Sequence, residues 1–583
     1  MLKKFFISML GTMAGMFLTL LIAGFTIFIL IASLAGGSAS DSIIRDKSVL
    51  YLKLDGTLPE RYSSQSLVDI LNEAEKDGES VSDIIDALDL AADDDRIEGV
   101  YIDALGASSG VASREEIAAA IRRFKESGKW VLAYADSYGQ GDYMLASLAD
   151  TVYLNPCGSI DVRGIATQSP FLTGLLDKLG IKMQILKVGT YKSAVEPFVN
   201  TEMSPAARLQ SQAMVDTMWS VIAGTIAEAR KVKVSQVNSW ADTIMFCLPA
   251  ATDVSLGAAS VTAYRRQVEN VIRDRCGLKQ DEDLRLVLPS DYMLQAPKFG
   301  SEKEHVAVLF ASGDIVDRGN EGISGEAMAP QIIELADNDK VTGLVLRVNS
   351  GGGSAFASEQ IWEALEYFKS KGKPYYVSMG DYAASGGYYI SCGADSIWAD
   401  RSTITGSIGV FGMVPDFSGL ITGKLGVTFD GVSSNPNATF LSVLGPMTQQ
   451  QHDAMQRSVE DIYELFTSRV AAGRGMSQDS VKSIAEGRVW TGGAALELGL
   501  VDCIGTMYDA IGAITDRLDL DRGDVIYYPE ISDSFMSTLI RNAVEDNAAV
   551  RDINDATRAA RLVRYFREMA PVQARMPLVI TEN

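Results

Sequence analysis

The sequence predicts an α/β protein made of two tandem repeats with largely parallel sheets, preceded by an apolar N-terminal segment. Three observations predict this organisation: an internal repeat, an alternation of β-rich and helical runs, and a long uncharged stretch near the N-terminus. A chain of 583 residues is also too long for one hydrophobic core, so more than one domain is expected.

The internal repeat is found by aligning the chain with itself. The run GVYIDALGASSGVASREEI, which begins at Gly99, matches GLVLRVNSGGGSAFASEQI, which begins at Gly343. After a one-residue insertion the match resumes, and Gly141 lies opposite Gly386. The predicted divisions are an anchor at 1–40, a first repeat at 45–300, a second repeat at 301–530 and a helical tail at 531–583.

Short β-rich runs alternate with helical runs in both repeats, and this alternation is typical of α/β folds with parallel strands. The predicted strands include Ser48–Leu54, Gly99–Ile102, His305–Phe310 and Leu344–Val348. The predicted helices include Ser113–Ser127, Pro205–Lys231, Ser358–Lys371 and Thr448–Gly473, most of them opened by Ser or Thr.

The N-terminal segment has the pattern of a transmembrane helix. Lys3 and Lys4 precede Phe5–Ser40, which carries no charge, and Met16–Leu34 is long enough for a bilayer core of about 30 Å. Basic residues before the span and Asp41 after it favour a cytoplasmic N-terminus. A cleaved signal peptide is the alternative, but its apolar core is usually only about 7–15 residues. We therefore expect a retained anchor, with the rest of the chain outside the cytoplasm.

Composition excludes several classes of function. With 52 Lys and Arg against 75 Asp and Glu, the net charge of −23 disfavours a nucleic-acid partner. The five Cys form no CxxC pair, so neither a zinc ribbon nor a disulfide-rich scaffold is predicted. The two histidines, His305 and His452, leave little material for a Ser-His triad or a His-rich metal site. No metal and no other cofactor is predicted.

One glycine-rich turn, Asn349–Ser354, follows a predicted strand and precedes a predicted helix. Such a turn presents backbone N–H groups beside a helix N-terminus, which suits an anion. A phosphate loop is not supported, because neither GxxxxGK[ST] nor GxGxxG is present. The turn is either an ordinary strand–helix connection or, with a nucleophile opposite, an oxyanion hole.

A second turn, Asp381–Tyr389, contains a candidate nucleophile. Ser385 lies between two alanines and two glycines, so no bulky neighbour shields its hydroxyl. The same pattern also suits an ordinary turn serine. The equivalent residue of the first repeat is Gln140, as expected if one copy lost catalysis and kept the scaffold.

A serine nucleophile needs a general base. His305 lies on a predicted strand and His452 on a predicted surface helix, so we expect structural roles for both. Lys192, in the run GTYKSAVEPF, lies among apolar and small residues. Desolvation can lower a lysine pKa from about 10.4 towards neutrality, although most lysines are solvated surface charges. The aligned place in the second repeat, near Ala438, has no lysine. The first repeat therefore has the lysine but not the serine, and the second has the serine but not the lysine.

Five motifs, in one order on this duplication, resemble the signal peptide peptidase A (protease IV) family in its long, membrane-anchored, tandem-domain form. They are GTYKSAVEPF, NSGGGS, GDYAASGGYY, TGSIGVFG and GRVWTGGAALELGLVD. The resemblance covers the chain from the anchor to about residue 530. It implies a crotonase/Clp-protease-like fold in each repeat and a Ser-Lys dyad shared between them.

The resemblance also implies roles for single residues. Ser385 would be the nucleophile, Lys192 the general base, and Ser407 the residue that orients the lysine amine. The oxyanion hole would combine the N–H of Gly386 with that of Gly352 or Gly353. One departure is Gly351, where the family usually has proline.

The function implied is a membrane-anchored serine endopeptidase that degrades cleaved signal peptides at the bacterial cytoplasmic membrane. Most of the chain would lie on the periplasmic side, as a homotetramer whose axial cavity faces the membrane. Two alternatives remain: an acyl-CoA enzyme of the crotonase type, with Ser385 incidental, and a catalytically silent scaffold. An extracytoplasmic body disfavours the first alternative, because CoA is cytoplasmic.

Overall fold

The computed structural model describes residues 44–62, 79–296, 303–319 and 322–529, and the backbone of 572–575. The predicted anchor at 1–40 lies outside these residues, as does most of the predicted tail. None of the helices within the described ranges is both long enough and apolar enough to cross a membrane.

The first repeat is built on a parallel sheet, with the strand order β6-β4-β3-β2-β1-β7. Its strands are β1 Ser48–Leu54, β2 Ile97–Ala104, β3 Trp130–Ala135, β4 Thr151–Leu154, β6 Val261–Thr262 and β7 Leu286–Val287. Its helices are α1 Val81–Asp93, α2 Val111–Glu126, α3 Gln140–Ala146, α4 Thr173–Leu179, α5 Glu196–Val199, α6 Pro205–Arg230, α7 Val234–Asp242, α8 Ala250–Ser255, α9 Arg265–Arg275 and α10 Pro289–Gln295. Two 3₁₀ turns are Ser193–Val195 and Met245–Cys247.

The second repeat has a matching sheet, with the order β17-β15-β13-β11-β8-β19, with β14 paired to β13 and with β18 paired to β14. Its pairs are parallel except β15 with β17. Its strands are β8 His305–Ser312, β11 Val341–Ser350, β13 Tyr375–Ala384, β14 Ser396–Ala399, β15 Ile404–Gly406, β17 Val489–Thr491, β18 Cys503–Ile504 and β19 Val525–Tyr528. Its helices are α11 Gly325–Asp337, α12 Ala355–Ser370, α13 Gly386–Ser391, α14 Gln449–Arg474, α15 Gln478–Ile484, α16 Gly492–Glu497 and α17 Met507–Leu518, with a π-helical turn at Gly419–Lys424.

A third sheet combines strands from both repeats, in the order β10-β9-β12-β20-β16-β5. The strand β5 comes from the first repeat and pairs antiparallel with β16 of the second. The strands are β5 Lys182–Lys187, β9 Ile315–Val316, β10 Ile323–Ser324, β12 Gly352–Ser354, β16 Phe411–Asp416 and β20 Val572–Arg575. This sheet carries a segment of the first repeat into the second.

The α/β prediction is confirmed, and the strand and helix positions differ from it only at their ends. Helix α12 begins at Ala355 rather than at Ser358, because the Ser354 side chain accepts the Ala357 N–H and caps the first turn. The helical stretch predicted within the tail lies outside the described residues, and the described part of the tail, β20, pairs with β12 and β16. Backbone pairing with two neighbouring strands, rather than local propensity, decides that conformation.

The hydrophobic cores of the two repeats are not fully separate. Each sheet buries its own cluster of Val, Ile, Leu and Ala. Three residues of the second repeat nevertheless pack in the core of the first: Ala384, Ile404 and Val489. Since Ala384 directly precedes Ser385, the first repeat helps to support the turn that carries the candidate nucleophile.

Candidate active site

Ser385 lies between the end of β13 and the start of α13. Its N–H donates to the Gly406 carbonyl at 2.8 Å, which fixes the turn against β15. The backbone has φ 58° and ψ −115°, a conformation that residues other than glycine adopt only where their surroundings enforce it. The side chain is fully buried. Such an enforced turn after a buried strand presents the hydroxyl in one fixed direction.

Lys192 reaches Ser385 because the chain after β5 enters the second repeat. The Val188 N–H donates to the Val410 carbonyl at 3.1 Å, and the Tyr191 N–H donates to the Glu486 carbonyl at 2.9 Å. The first bond continues the pairing of β5 with β16, and the second joins the chain to the segment before β17. The candidate base therefore belongs to the first repeat in sequence but is held by the backbone of the second.

The side chains of the predicted dyad and of Ser407, which is predicted to orient the lysine, meet in one place. Lys192 Nζ lies 2.7 Å from Ser385 Oγ, 3.1 Å from Ser407 Oγ and 3.2 Å from the Ser407 carbonyl oxygen. The Ser407 hydroxyl has its own acceptor, the Gly487 carbonyl, at 3.4 Å. A neutral amine has two N–H groups and one lone pair. If both N–H groups are donated to Ser407, the lone pair is directed at the Ser385 hydroxyl.

Burial sets the charge of this lysine. Lys192 is 0% exposed, and desolvation lowers its pKa well below the ordinary value of 10.5. A buried ammonium without a paired carboxylate is costly, so the neutral amine is the favoured form. A neutral amine is able to accept a proton from a serine hydroxyl.

The backbone groups predicted for an oxyanion hole lie close to Ser385. Gly386 is the first residue of α13, where N–H groups have no acceptor within the helix. Gly352 adopts φ 98°, a conformation that favours glycine, and its N–H donates to the Ser350 hydroxyl at 3.1 Å. Gly353 lies between β9 and β20 in the third sheet. In this state, therefore, the Gly352 N–H already has an acceptor.

A strand of the C-terminal tail lies beside the glycine turn. In β20, Ala574 is opposite Gly353 of β12, and Gln573 is opposite Phe411 of β16. Both pairings are antiparallel. The gap between β12 and β16 thus accepts an extended backbone beside the glycine-rich turn.

The two histidines lie outside this cluster. His305 Nδ1 is 2.8 Å from the Lys303 carbonyl, and its Nε2 is 3.2 Å from the Tyr528 hydroxyl. The His452 side chain is 41% exposed, on α14. Neither imidazole contacts Ser385 or Lys192.

The equivalent place in the first repeat is closed by its own side chains. Gln140 Oε1 accepts the N–H groups of Arg163 and Gly164 at 3.0 and 2.9 Å. Asp142 Oδ2 accepts the N–H groups of Gly106 and Ala107, in the loop that aligns with the glycine-rich turn, at 2.9 and 3.2 Å. Without a nucleophile at this place, and with the loop N–H groups occupied, the described residues of the first repeat form no comparable site.

Two polar residues near the dyad were missed by the sequence analysis, Ser350 and Gln210. Ser350 was part of the glycine-rich turn, but nothing in the sequence indicated that its hydroxyl accepts the Gly352 N–H. Gln210 lay inside a predicted helix with no motif around it. It is 2% exposed and hydrogen-bonds both neighbours of Lys192.

Comparison with known proteins identifies the family. The model of Peptidase family S49 matches residues 123–269 and 367–521, one match in each repeat. The chain belongs to peptidase family S49. Protease 4 of Haemophilus influenzae is 36% identical over 547 residues, 89% of this chain and 88% of that protein. Protease 4 of Salmonella typhi is 35% identical over 86% of this chain and 84% of that protein.

A shorter relative matches part of the S49 chain. The putative signal peptide peptidase SppA of Enterococcus faecium is 31% identical over 46% of this chain and 79% of its own length. The recognition of the family from five motifs is confirmed, and the protein is a serine protease. This membership favours a peptidase over the acyl-CoA enzyme and the silent scaffold.

The finer fold assignment rests on the sequence resemblance. ClpP1 from Listeria monocytogenes superposes with a TM-score of 0.22 and 15% identity over 35% of this chain and 92% of its own. A TM-score of 0.22 is too low to assign a fold. The crotonase/Clp-protease-like fold of each repeat therefore stays a prediction.

Proposed function

We propose that this protein is a Ser-Lys endopeptidase, with Ser385 as nucleophile and Lys192 as general base. The observation that carries the proposal is the 2.7 Å separation of Lys192 Nζ and Ser385 Oγ in a buried site. The lowered lysine pKa supports it, because a base must be neutral before it accepts a proton.

In the proposed reaction, the amine accepts the hydroxyl proton while Ser385 Oγ attacks the carbonyl carbon of the scissile peptide bond. The amine then donates this proton to the leaving nitrogen as the C–N bond breaks, which leaves an acyl ester on Ser385. Lys192 next accepts a proton from water, whose oxygen attacks the ester. Return of that proton to Ser385 Oγ releases the second product and restores the dyad.

The negative oxygen of each tetrahedral intermediate needs preorganised donors. We assign this role to the Gly386 N–H together with an N–H of the glycine-rich turn. The second donor is the Gly353 N–H, or the Gly352 N–H once it leaves the Ser350 hydroxyl. Ser407 holds the amine through its hydroxyl and its carbonyl.

The substrate class follows from the gap between β12 and β16. An antiparallel strand, such as β20, bonds through its backbone, so an extended peptide of varied sequence can bind there. The apolar N-terminal segment supports attachment to the bacterial cytoplasmic membrane, with most of the chain on the periplasmic side. The substrates proposed are cleaved signal peptides, as the name of the Enterococcus relative also suggests. The proposed assembly is a homotetramer.

The dyad is tested by fluorophosphonate labelling and peptide hydrolysis. We expect Ser385→Ala and Lys192→Ala each to lower turnover by at least about 10³-fold, and the double variant to be no worse, because the two residues act as a unit. Lys192→Arg should be equally inactive, because a guanidinium does not deprotonate in proteins. Full labelling of a folded Lys192→Arg variant contradicts the proposal.

Matched controls are available near both residues. Ser391→Ala removes another buried hydroxyl of α13, one that bonds the Gly387 carbonyl at 2.7 Å. Lys187→Ala removes an exposed lysine of β5. Both variants should label like the wild type.

The membrane assignment has a separate test. Deleting residues 1–40 should move the protein from the membrane fraction to the soluble fraction while labelling is retained. Persistent membrane association of this truncation contradicts the proposed anchor. Light scattering of the soluble form tests the tetramer.

A further inference from the structure

Gln210, in the first half of α6, is a buried amide whose hydrogen bonds are directed around Lys192. Its Nε2 donates to the Tyr191 carbonyl at 3.1 Å and to the Ser193 hydroxyl at 2.9 Å. Its Oε1 accepts the N–H of Val489, in β17 of the second repeat, at 3.2 Å. The side chain is 2% exposed. One amide group thus holds the residues before and after the base to a strand of the other repeat.

That strand leads directly to the residue that holds the amine. The Ser407 N–H donates to the carbonyl of Arg488, the neighbour of Val489, at 2.7 Å. The strand β17 also pairs with β15, whose Gly406 carbonyl accepts the Ser385 N–H. Gln210 is therefore connected by short backbone links to all three members of the proposed site.

The chemistry of the contact requires an amide. Tyr191 offers a carbonyl, which only accepts, and Val489 offers an N–H, which only donates. A glutamine side chain has two donor hydrogens and an acceptor oxygen on one rigid plane, so it satisfies both groups at once. Glutamate cannot donate to the Tyr191 carbonyl, and methionine of similar length does neither.

We propose that Gln210 is a positioning residue of the dyad, which holds the Lys192 backbone against β17 so that the amine meets Ser385 Oγ. The inference rests on the proposed Ser-Lys mechanism. A lysine side chain has four rotatable bonds, so its amine reaches one place only if its backbone is fixed. Misplacement of a reacting group by about 1 Å costs on the order of 10²-fold in rate.

The test is the rate of fluorophosphonate labelling of the full-length protein, resolved into the maximal rate constant, the probe concentration at half-saturation and the final labelled fraction. Gln210→Met should lower the maximal rate constant by about 10- to 100-fold. The half-saturating concentration and the labelled fraction should stay at wild-type values, because the probe site and the fold remain.

A second variant gives a readout that a purely structural role would not move. Gln210→Glu still accepts the Val489 N–H, and its bond to the Ser193 hydroxyl reverses so that the hydroxyl donates, but it places a carboxylate beside Lys192. A nearby negative charge raises a lysine pKa, so the pH midpoint of labelling should shift upward. Gln212→Met is the matched control, because Gln212 is exposed and its amide donates to Asp216 at 2.7 Å. This control should label like the wild type.

Each outcome decides a different point. Labelling that survives Lys192→Ala removes the dyad, and this inference with it. A Lys192-dependent reaction that proceeds at the wild-type rate in Gln210→Met removes only the role of Gln210. Gln210→Met could instead lower only the labelled fraction, with the remaining sites reacting at the wild-type rate. If Gln210→Glu also leaves the pH midpoint of labelling unchanged, Gln210 acts in folding, and its positioning role is overturned.

Discussion

Arg347 of the second repeat makes a bidentate ion pair with Glu60 of the first repeat. Its Nε and Nη2 donate to the two carboxylate oxygens at 3.0 and 3.1 Å. Its Nη1 also donates to Glu116, at 2.5 Å. The Arg347 side chain is 0% exposed. Since the proposed base and nucleophile come from different repeats, this pairing helps to maintain the geometry on which the dyad depends.

Replacing Arg347 with methionine should destabilise the protein by about 3–5 kcal/mol, because Glu60 and Glu116 would remain buried without their cation. The free energy of unfolding, measured in urea, tests this. Arg96→Met is the control, since Arg96 pairs with Asp94 at the surface and such pairs contribute at most about 1 kcal/mol. Equal losses in the two variants contradict the prediction.

The stability of the protein should depend on pH through Lys192. Burial lowers the pKa of Lys192 in the folded state, so between that pKa and about 10.4 the unfolded chain binds more protons. The free energy of unfolding of the wild type, relative to Lys192→Met, should therefore rise with pH in this window. Labelling should rise through the same lowered pKa, because the neutral amine is the proposed base. A constant stability difference from pH 7 to pH 9 would refute the assigned charge state.

Asp253, a buried residue of α8, should give the opposite dependence. Burial raises the pKa of its carboxyl to about 6. The folded state then binds more protons than the unfolded state, and stability is lost as pH rises through the folded pKa. The side chain of Asp253→Asn does not titrate. The free energy of unfolding of this variant, relative to the wild type, should therefore rise between about pH 4 and pH 6 and then level off. Urea unfolding across this range is the measurement, and a flat difference contradicts it.

Removing residues 570–583 should increase the initial rate of peptide hydrolysis. The strand β20 occupies the backbone edges of β12 and β16 that we assign to substrate, so its removal frees them. The expected change is a lower KM with little change in kcat, because the dyad is untouched. An unchanged KM in the truncated protein would mean that substrate binds elsewhere.

Local patterns predicted much of the scaffold. Strand β1 has the predicted bounds, and α6 and α14 lie within one residue of the predicted ends. These elements are set by side-chain periodicity and by Ser or Thr caps, which neighbouring residues encode. Strand β20 was not predicted, because it takes its conformation from two strands distant in sequence.

The candidate site was predicted in its residue types and not in its geometry. The first repeat lacks the serine and the second lacks the lysine, and this difference indicated Lys192 and Ser385. The family resemblance added Ser407. The position of Gln210 beside Lys192 was not predicted, because the sequence around a glutamine in a helix does not indicate which residues its side chain contacts. Arg347 has a signal in the sequence, because it is a charged residue within an apolar strand run.

The sequence by itself determined the duplication, the alternation of strand and helix, the family and the small set of residues able to supply a nucleophile and a base. Tertiary structure alone decided that Lys192, 193 positions before Ser385, lies within hydrogen-bonding distance of it and is wholly buried. Periodicity and capping are properties of neighbouring residues, so they can be read along the chain. A distance between repeats, and the desolvation that lowers a lysine pKa, depend on how the chain packs against itself.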